Sequence, residues 1–197
     1  EKGVDYGIYH TTFRIPGEPL VSVIIPNKDH TVDLDNCIRP MITKGTYKNL
    51  EFIVVENNST DPKTFEYYEK IQKEFPQVHV VRWEREFNYS AINNFGVKYA
   101  KGSYLLFMNN DIELIAENFV EEMLGFCQRE EVGAVGARLL YEDDTIQHAG
   151  VVLGLGAHRT AGHTHYGQSR ENLGYMGRLC YAQNVSAVTG ACLMVKK

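Results

Sequence analysis

The sequence predicts an α/β fold built on a mostly parallel central sheet with helices on both faces. Short apolar runs alternate with longer stretches of helical periodicity from Leu20 onward. The runs are almost continuously apolar, which is typical of strands buried on both faces rather than on one. Each of the first four runs also ends in a group of polar residues. The chain therefore is predicted to be doubly wound at least through residue 108.

The elements follow in order along the chain. The polar Asp61 suits a helix N-cap and Pro62 the first helical position, while Ser90 can cap the next helix and Gly102 follows its end. The predicted strands are 21–25, 51–55, 78–83 and 103–108, and the predicted helices are 33–44, 62–74, 90–100 and 116–129. Beyond residue 130 the pattern predicts strands at 132–141, 148–156 and 185–195, with a long glycine-rich loop from Gly154 to Gly177.

Length and composition indicate one globular domain. The chain has 197 residues, of which 44% are hydrophobic, and a net charge of −5. These values exclude a disordered chain and argue against a broad basic surface, so we expect no nucleic-acid partner. Residues 1–19 lack a sustained period and are predicted to be a leading segment or linker, with the domain at 20–197.

The cysteines and the first residues of the chain indicate in which cellular compartment the domain is expected. Four cysteines are scattered without a CxxC pair, which predicts reduced thiols rather than a zinc or redox site. There is no signal-like start and no apolar run of membrane-spanning length. We expect a domain without a transmembrane segment, either cytoplasmic or peripheral at the inner face of the membrane.

The polar groups at the strand ends are predicted to meet in one crevice. In open α/β sheets, ligands bind beyond the carboxyl ends of the strands, where helix N-termini also face anions. The four groups are Pro26–Asp29, Glu56–Ser59, Glu84–Asn88 and Asn109–Asp111.

Several enzyme classes lack their motifs here. The chain has no GxxxxGK[ST], and its first strand is not followed by a glycine triplet. It also has no GxSxG element. A P-loop enzyme, a dinucleotide-dependent dehydrogenase and a serine hydrolase are therefore not supported.

Two carboxylates stand out in the predicted crevice. Glu56 is suited to accept a hydrogen bond from a uracil N–H or a ribose hydroxyl. Asp111 directly follows an apolar strand and is suited to hold Mg²⁺ or Mn²⁺ against a diphosphate. Such an ion would stabilise a departing nucleoside diphosphate as a Lewis acid.

Simpler interpretations of these residues remain open. Glu56 fits a polar turn and Asp111 a helix cap. Caps and turns also account for Asn88, Asn93 and Asn94. Four histidines lack Cys or carboxylate partners at ligand spacing, so we interpret them as solvated or acceptor-loop residues. These are His148, His158, His163 and His165.

The ordered motifs resemble those of the family 2 glycosyltransferases, which have a Rossmann-like GT-A fold. The resemblance rests on VSVIIPNKD, VVENNSTD and FNYSAINNFGVKYAKGSYLLFMNND, in that order. HAGVVLG and VTGACLMVKK resemble the bacterial polysaccharide, rhamnosyltransferase-like branch. The similarity covers about residues 20–197, with a nucleotide-binding half at 20–111 and an acceptor half at 112–197.

The resemblance implies roles for individual residues. It places Pro26 and Asn27 in the first nucleotide-contacting turn and Glu56 where the family usually has a base-reading Asp. Asn94 matches the family's Asn in the helix after the third strand, and Asn93 stands where many members have Arg. Asn88, in the polar group after the third strand, is a further nucleotide-sugar-binding candidate.

The family's D-x-D element corresponds to Asn109-Asn110-Asp111. An amide replaces the first carboxylate, which leaves Asp111 as the main metal ligand and Asn110 beside it in the nucleotide-sugar site. The resemblance implies an inverting transfer from a UDP-, dTDP- or GDP-linked sugar to a glycan or lipid-linked glycan. The catalytic base of such enzymes follows the strand resembling TGACLMVKK, so we expect it beyond Lys197, in a C-terminally truncated domain.

Two other functions are considered. A non-catalytic sugar-nucleotide or glycan-binding module would be consistent with the lost carboxylate at Asn109. A nucleotidyltransferase would share the crevice and the metal chemistry. It would be expected to carry a Gly- and Arg-rich phosphate loop after the first strand, and PNKDHTVD offers neither.

Overall fold

A computed structural model describes residues 3, 6–155 and 160–197 of the chain. Its centre is a six-stranded sheet in the order β3-β2-β1-β4-β10-β5. The first four strands run parallel, and β10 is antiparallel to both of its neighbours. The six strands are β1 Val21–Asn27, β2 Leu50–Glu56, β3 Val78–Arg82, β4 Tyr104–Met108, β5 Ala134–Gly136 and β10 Cys192–Lys196.

Four helices and two small sheets complete the described structure. The helices are α1 Thr31–Thr43, α2 Pro62–Glu74, α3 Tyr89–Val97 and α4 Phe119–Cys127. One small sheet pairs β6 Leu139–Leu140 with β7 Ile146–His148, and the other pairs β8 Val151–Leu153 with β9 Ala161–His163. A 3₁₀ turn lies at Tyr175–Gly177.

Helices cover both faces of the sheet, as the sequence predicts. Alternate residues of β1 and β2 point to opposite faces, so that Val23 joins one core cluster and Ile24 the other. The larger cluster contains side chains from α1, α2 and α4, whereas Ile92 of α3 packs in the smaller one. Apolar burial on both faces explains why these strands are almost continuously apolar.

The change of face at α3 produces a topological switch point. The chain moves outward from β1 to β3, then crosses back through α3 to place β4 on the other side of β1. The carboxyl ends of β1 and β4 are therefore neighbours, and the chain continues from β1 toward β2 on one side and from β4 toward β5 on the other. Such a point is where open α/β sheets form a ligand crevice.

The C-terminal third departs from the sequence prediction. The predicted strand 132–141 is divided into β5 and β6. Of the predicted strand 148–156, only β8 forms as a separate strand, and His148 is the last residue of β7. Of the predicted strand 185–195, only β10 forms, because only that part pairs with β4. The predicted loop between Gly154 and Gly177 contains β9, and residues 156–159 lie outside the described structure.

Gly96 brings α3 close to the sheet, and valine at this position is expected to destabilise the fold. A Cβ here would lie 2.7 Å from Ile24 Cγ2 and 2.9 Å from Val55 Cγ2. Overpacking of this kind should lower the free energy of unfolding by about 2 kcal/mol. Urea denaturation measures this, with Gly133→Val as the control because a Cβ at Gly133 meets nothing within 4 Å. Equal losses in the two variants would contradict this packing.

Candidate active site

The switch point opens into a cleft of about 790 Å³ at the carboxyl edge of the sheet. All four polar groups predicted from the strand ends contribute to its wall, for example through Asn27, Asn57, Phe87 and Asn110. Its volume lies in the range of small-molecule sites. The predicted convergence of the strand ends is thus confirmed, whereas the binding roles of single residues stay predictions.

Pro26, Asn27 and Asn110 line the cleft where β1 and β4 end. Asn110 Nδ2 donates a 2.6 Å hydrogen bond to Asn27 Oδ1. Asn27 Nδ2 in turn donates to the Tyr68 hydroxyl at 2.8 Å. Tyr68 belongs to α2 and is 4% exposed, so this part of the cleft wall is tied to a buried tyrosine.

Glu56 lies behind this wall, at the end of β2, and is 3% exposed. Its Oε1 accepts a 2.6 Å hydrogen bond from Ser59 N, and its Oε2 accepts from Ser59 Oγ at 2.6 Å and from the Tyr68 hydroxyl at 2.7 Å. The carboxylate is thus held by neighbouring protein groups. Glu56 is absent from the described residues that line the cleft, so its direct contact with a base stays a prediction.

Two predicted ligand residues after β3 are placed differently from the rest. Asn88, rather than the predicted Ser90, is the N-cap of α3, and its side chain accepts a hydrogen bond from Ala91 N at 2.9 Å. Asn94 is exposed on α3 and is not among the described residues that line the cleft. The structure therefore brings neither side chain into the group around Asn27.

Asn93 occupies the buried position instead. It is 5% exposed, and its Nδ2 donates to Tyr89 O at 2.8 Å. Its Oδ1 has no hydrogen-bond partner in the described part of the chain. Because one residue turns a helix by about 100°, Asn93 and Asn94 point in different directions, which an ambiguous Asn-Asn pair in the sequence cannot reveal.

The sequence reasoning missed the wall opposite β1, which residues 189–191 form. Because β10 is antiparallel to β4 and Cys192 pairs with Met108, the residues before β10 reach the carboxyl edge of the sheet. The Tyr89 hydroxyl donates a 2.6 Å hydrogen bond to Gly190 O and fixes this segment to α3. The only sequence signal was the TGA preceding a strand, which did not specify an antiparallel direction.

Asp111 opens onto a second cleft of about 580 Å³, which residues of α1 and of the segment 111–116 also line. Asn109 lines both clefts, so the NND segment forms the partition between them. Asp111 is exposed, and no residue of the described structure donates a hydrogen bond to its carboxylate. Its free oxygens fit Mg²⁺ or Mn²⁺, ions that bind through one or two carboxylates, water and substrate phosphates.

Residues 3, 6–155 and 160–197 contain no group of three or more His, Cys, Asp or Glu side chains that could hold a metal ion. In the same residues, no helix is long and apolar enough to cross a membrane.

The interpretation of the histidines as solvated is wrong for His148. Its side chain is 1% exposed, and its Nε2 accepts a 3.3 Å hydrogen bond from Thr189 N in the cleft wall. Its Nδ1 lies 3.0 Å from Nδ1 of His163, which is exposed. Since Nε2 accepts, Nδ1 of His148 carries the proton and donates to His163. His158 lies outside the described residues.

Acid is expected to destabilise the fold through His148. Burial, and secondarily His163, lower the pKa of His148 from 6.5 to about 4. Between these values the unfolded chain binds a proton that the folded chain does not, so stability falls as the pH drops from about 6.5 toward 4. From pH 7 to pH 5 the wild type should lose about 2 kcal/mol more than His148→Gln.

Urea denaturation at both pH values measures this difference, and the exposed His30, replaced by Gln, serves as the control. Parallel stability curves for the wild type and His148→Gln would contradict the assignment.

Comparisons with known proteins agree with this architecture. A model of glycosyl transferase family 2 matches residues 22–195. An uncharacterised protein, y4gI, of Sinorhizobium fredii is 43% identical over 96% of this chain and 21% of its own length. The O-antigen biosynthesis protein RfbC of Myxococcus xanthus is 36% identical over 96% of this chain and 15% of its own length. The chain thus spans about a fifth or less of these two relatives.

A solved structure shares the fold. The mannosyltransferase PcManGT from Pyrobaculum calidifontis, in complex with GDP-Man and Mn²⁺, superposes with a TM-score of 0.56. The match has 21% sequence identity and covers 64% of this chain and 37% of that one. The predicted GT-A fold is thereby confirmed. Because the family model spans the sheet, its helices and both walls of the cleft, the chain belongs to glycosyl transferase family 2.

Proposed function

We propose that this chain transfers a glycosyl group, with inversion, from a nucleoside diphosphate sugar to a hydroxyl of a glycan or lipid-linked glycan. The observation that carries the proposal is the cleft at the switch point, where amides from separate strand ends surround a space of about 790 Å³. Neutral donors and acceptors of this kind suit a ribose, a base and a sugar.

Each part of the cleft has a proposed task. Pro26, Asn27 and Asn110 contact the nucleotide, and the exposed Lys28 places a positive charge at the same wall, near the diphosphate. Asn88 holds the start of α3, and with it Phe87 and Tyr89, against the cleft. Asn94, which is exposed on α3 outside the described lining of the cleft, is given no task in this proposal.

Asp111, with Asn109 beside it, would hold Mg²⁺ or Mn²⁺ against the diphosphate. A bound divalent ion supplies Lewis-acid stabilisation of the leaving diphosphate. The protein side chains orient the donor and keep the diphosphate next to Asp111. We propose that the base for the acceptor hydroxyl comes from sequence beyond Lys197.

The comparisons supply the wider context for the proposal. PcManGT is described as a complex with GDP-Man and Mn²⁺, which supports a nucleotide-sugar donor and a divalent ion. RfbC is named for O-antigen biosynthesis and GgaB of Bacillus subtilis for minor teichoic acid biosynthesis. These names support our proposal that the reaction belongs to bacterial cell-surface polysaccharide synthesis. We further propose that it takes place in the cytoplasm, either free or at the inner face of the membrane.

Calorimetry with UDP, dTDP and GDP, each with Mn²⁺, tests the donor site. At least one nucleotide should bind, and Lys28→Glu should weaken it at least about fivefold by placing a negative charge near the diphosphate. Lys101→Glu is the matched control, because the exposed Lys101 precedes β4 at the opposite edge of the sheet. If no nucleotide binds, or if both variants weaken binding equally, this cleft is not the donor site.

A non-catalytic binding module is the second candidate, favoured by the amide of Asn109 at the position of a family carboxylate. Such a module would bind the nucleotide without turnover. Release of nucleoside diphosphate from a sugar donor by the full-length protein, in the presence of acceptor glycan, would exclude it.

A further inference from the structure

A buried chain of hydrogen bonds runs from Glu56 to the cleft surface. The Tyr68 hydroxyl lies 2.7 Å from Glu56 Oε2 and 2.8 Å from Asn27 Nδ2. Asn27 Oδ1 lies 2.6 Å from Asn110 Nδ2. Glu56 and Asn27 are each 3% exposed and Tyr68 is 4% exposed, so these groups satisfy one another rather than water.

The direction of every bond in this chain is determined by Glu56. Ser59 N can only donate, and the Ser59 hydroxyl, which accepts from Asp29 N at 2.9 Å, gives its own proton to Glu56. A carboxylate that receives these donors is acceptor-only. The Tyr68 hydroxyl must therefore also donate to Glu56, and burial, which raises the pKa of Tyr68, keeps its proton in place.

The two amides then have only one satisfactory orientation. With its proton given to Glu56, the Tyr68 oxygen can only accept, so Asn27 turns Nδ2 toward it. Asn27 Oδ1 consequently faces Asn110 and can only accept, so Asn110 turns Nδ2 inward. The amide oxygen of Asn110, Oδ1, accepts no hydrogen bond from the described part of the chain. Because Asn110 lines the cleft, this oxygen is available to a ligand.

We propose that Glu56 and Tyr68 are positioning residues that fix the Asn110 amide so that its oxygen, and not its nitrogen, faces the ligand. The inference rests on the proposed function and refines the binding site. It gives Glu56 an indirect task in place of direct contact with a base. The bound group is one that an oxygen acceptor recognises, either a ribose or sugar hydroxyl or a divalent cation.

The variant Glu56→Gln is expected to reverse the chain without changing its shape. Because Ser59 N can only donate, the glutamine must place Oε1 there and direct Nε2 at Tyr68. Tyr68 then accepts from the glutamine and donates to Asn27, whose amide turns over. Asn110 turns in response and presents Nδ2 to the ligand. Nucleotide affinity should fall at least about tenfold, since a donor replaces an acceptor.

The variant Tyr68→Phe breaks the chain and frees both amides. It should weaken nucleotide binding only about threefold, because Asn110 can still turn its oxygen outward. The double variant Glu56→Gln/Tyr68→Phe should bind like Tyr68→Phe alone. Removal of the Tyr68 hydroxyl thus lowers the nucleotide affinity of the wild type but raises that of Glu56→Gln. A loss of folding stability alone does not reverse the sign of this effect.

Calorimetric titration of the nucleotide that the wild type binds measures all four proteins. Thermal unfolding confirms that each is folded, and Tyr67→Phe is the matched control, since the neighbouring Tyr67 hydroxyl bonds to Asp35 instead. If the double variant binds the nucleotide as weakly as Glu56→Gln, or more weakly, the proposal is overturned. That result would favour direct contact between Glu56 and the base. Absence of binding to the wild type would instead contradict the proposed function.

Repeating the titrations with Mn²⁺ and with EDTA identifies the group facing Asn110. A sign reversal seen only with Mn²⁺ supports the proposal with a cation as the recognised group. A reversal in both conditions supports it with a ligand hydroxyl. No reversal in either condition overturns it.

Discussion

Replacement of Gly102 with alanine is expected to lower the free energy of unfolding by about 4 kcal/mol or more. A Cβ at Gly102 would lie 2.5 Å from Leu20 O and 2.8 Å from Ser22 N. Both neighbours are backbone atoms, one directly before β1 and one within it, so no side-chain rotation relieves these two contacts. The backbone around Gly102 would have to move away from β1.

That movement would also break a buried polar network. Gly102 N donates to Ser22 Oγ at 2.8 Å and to Glu51 Oε1 at 3.2 Å. Glu51 is 5% exposed and further accepts from Ser22 Oγ and Lys101 N. A buried carboxylate that loses donors is strongly destabilising, which is why the expected loss exceeds that of an ordinary overpacked core.

Urea denaturation of Gly102→Ala measures the effect, with Gly133→Ala as the control because a Cβ at Gly133 has open space. The alanine at Gly133 should change stability little. Equal unfolding midpoints for the two variants would show that the edge around Gly102 is looser than the contacts imply.

The first four strands and their helices were predictable because their signals are local. Continuous apolar runs and the Asp61–Pro62 start are read directly from neighbouring residues, and α2 begins where that pair predicts, with Asp61 accepting from Lys63 N. The strands after residue 130 were not predicted accurately. Their extent depends on pairing between distant segments such as β10 and β4, and apolar character alone does not limit it.

The candidate site was predictable at the level of segments but not of side chains. Topology brings strand ends together whatever their residues, so the convergence at the cleft followed from the fold class. Which amide of the Asn93-Asn94 pair is buried and which is exposed depends on the phase of α3. Whether a carboxylate is free depends on tertiary partners such as Tyr68, which lies 12 residues from Glu56 and gives no motif.

Replacement of Asp111 with alanine is expected to weaken Mn²⁺-dependent nucleotide binding at least about tenfold. Asp111 is the only carboxylate in the NND segment, and its exposed oxygens receive no hydrogen bond from the described residues. The neutral amide of Asn109 cannot replace its charge. Binding measured with EDTA should change little, because the remaining cleft contacts come from Asn27, Asn110 and Lys28.

Calorimetry with and without Mn²⁺ separates these contributions, and Glu113→Ala is the matched control. Glu113 is an exposed carboxylate that lines the same second cleft two residues further along. The converse variant, Asn109→Asp, supplies a second charged oxygen and should tighten Mn²⁺-dependent binding about tenfold. If Asp111→Ala leaves Mn²⁺-dependent binding unchanged, or weakens it no more than Glu113→Ala, the metal role of Asp111 is wrong. If Asn109→Asp also binds the nucleotide more tightly in EDTA, residue 109 contacts the nucleotide itself and not the metal ion.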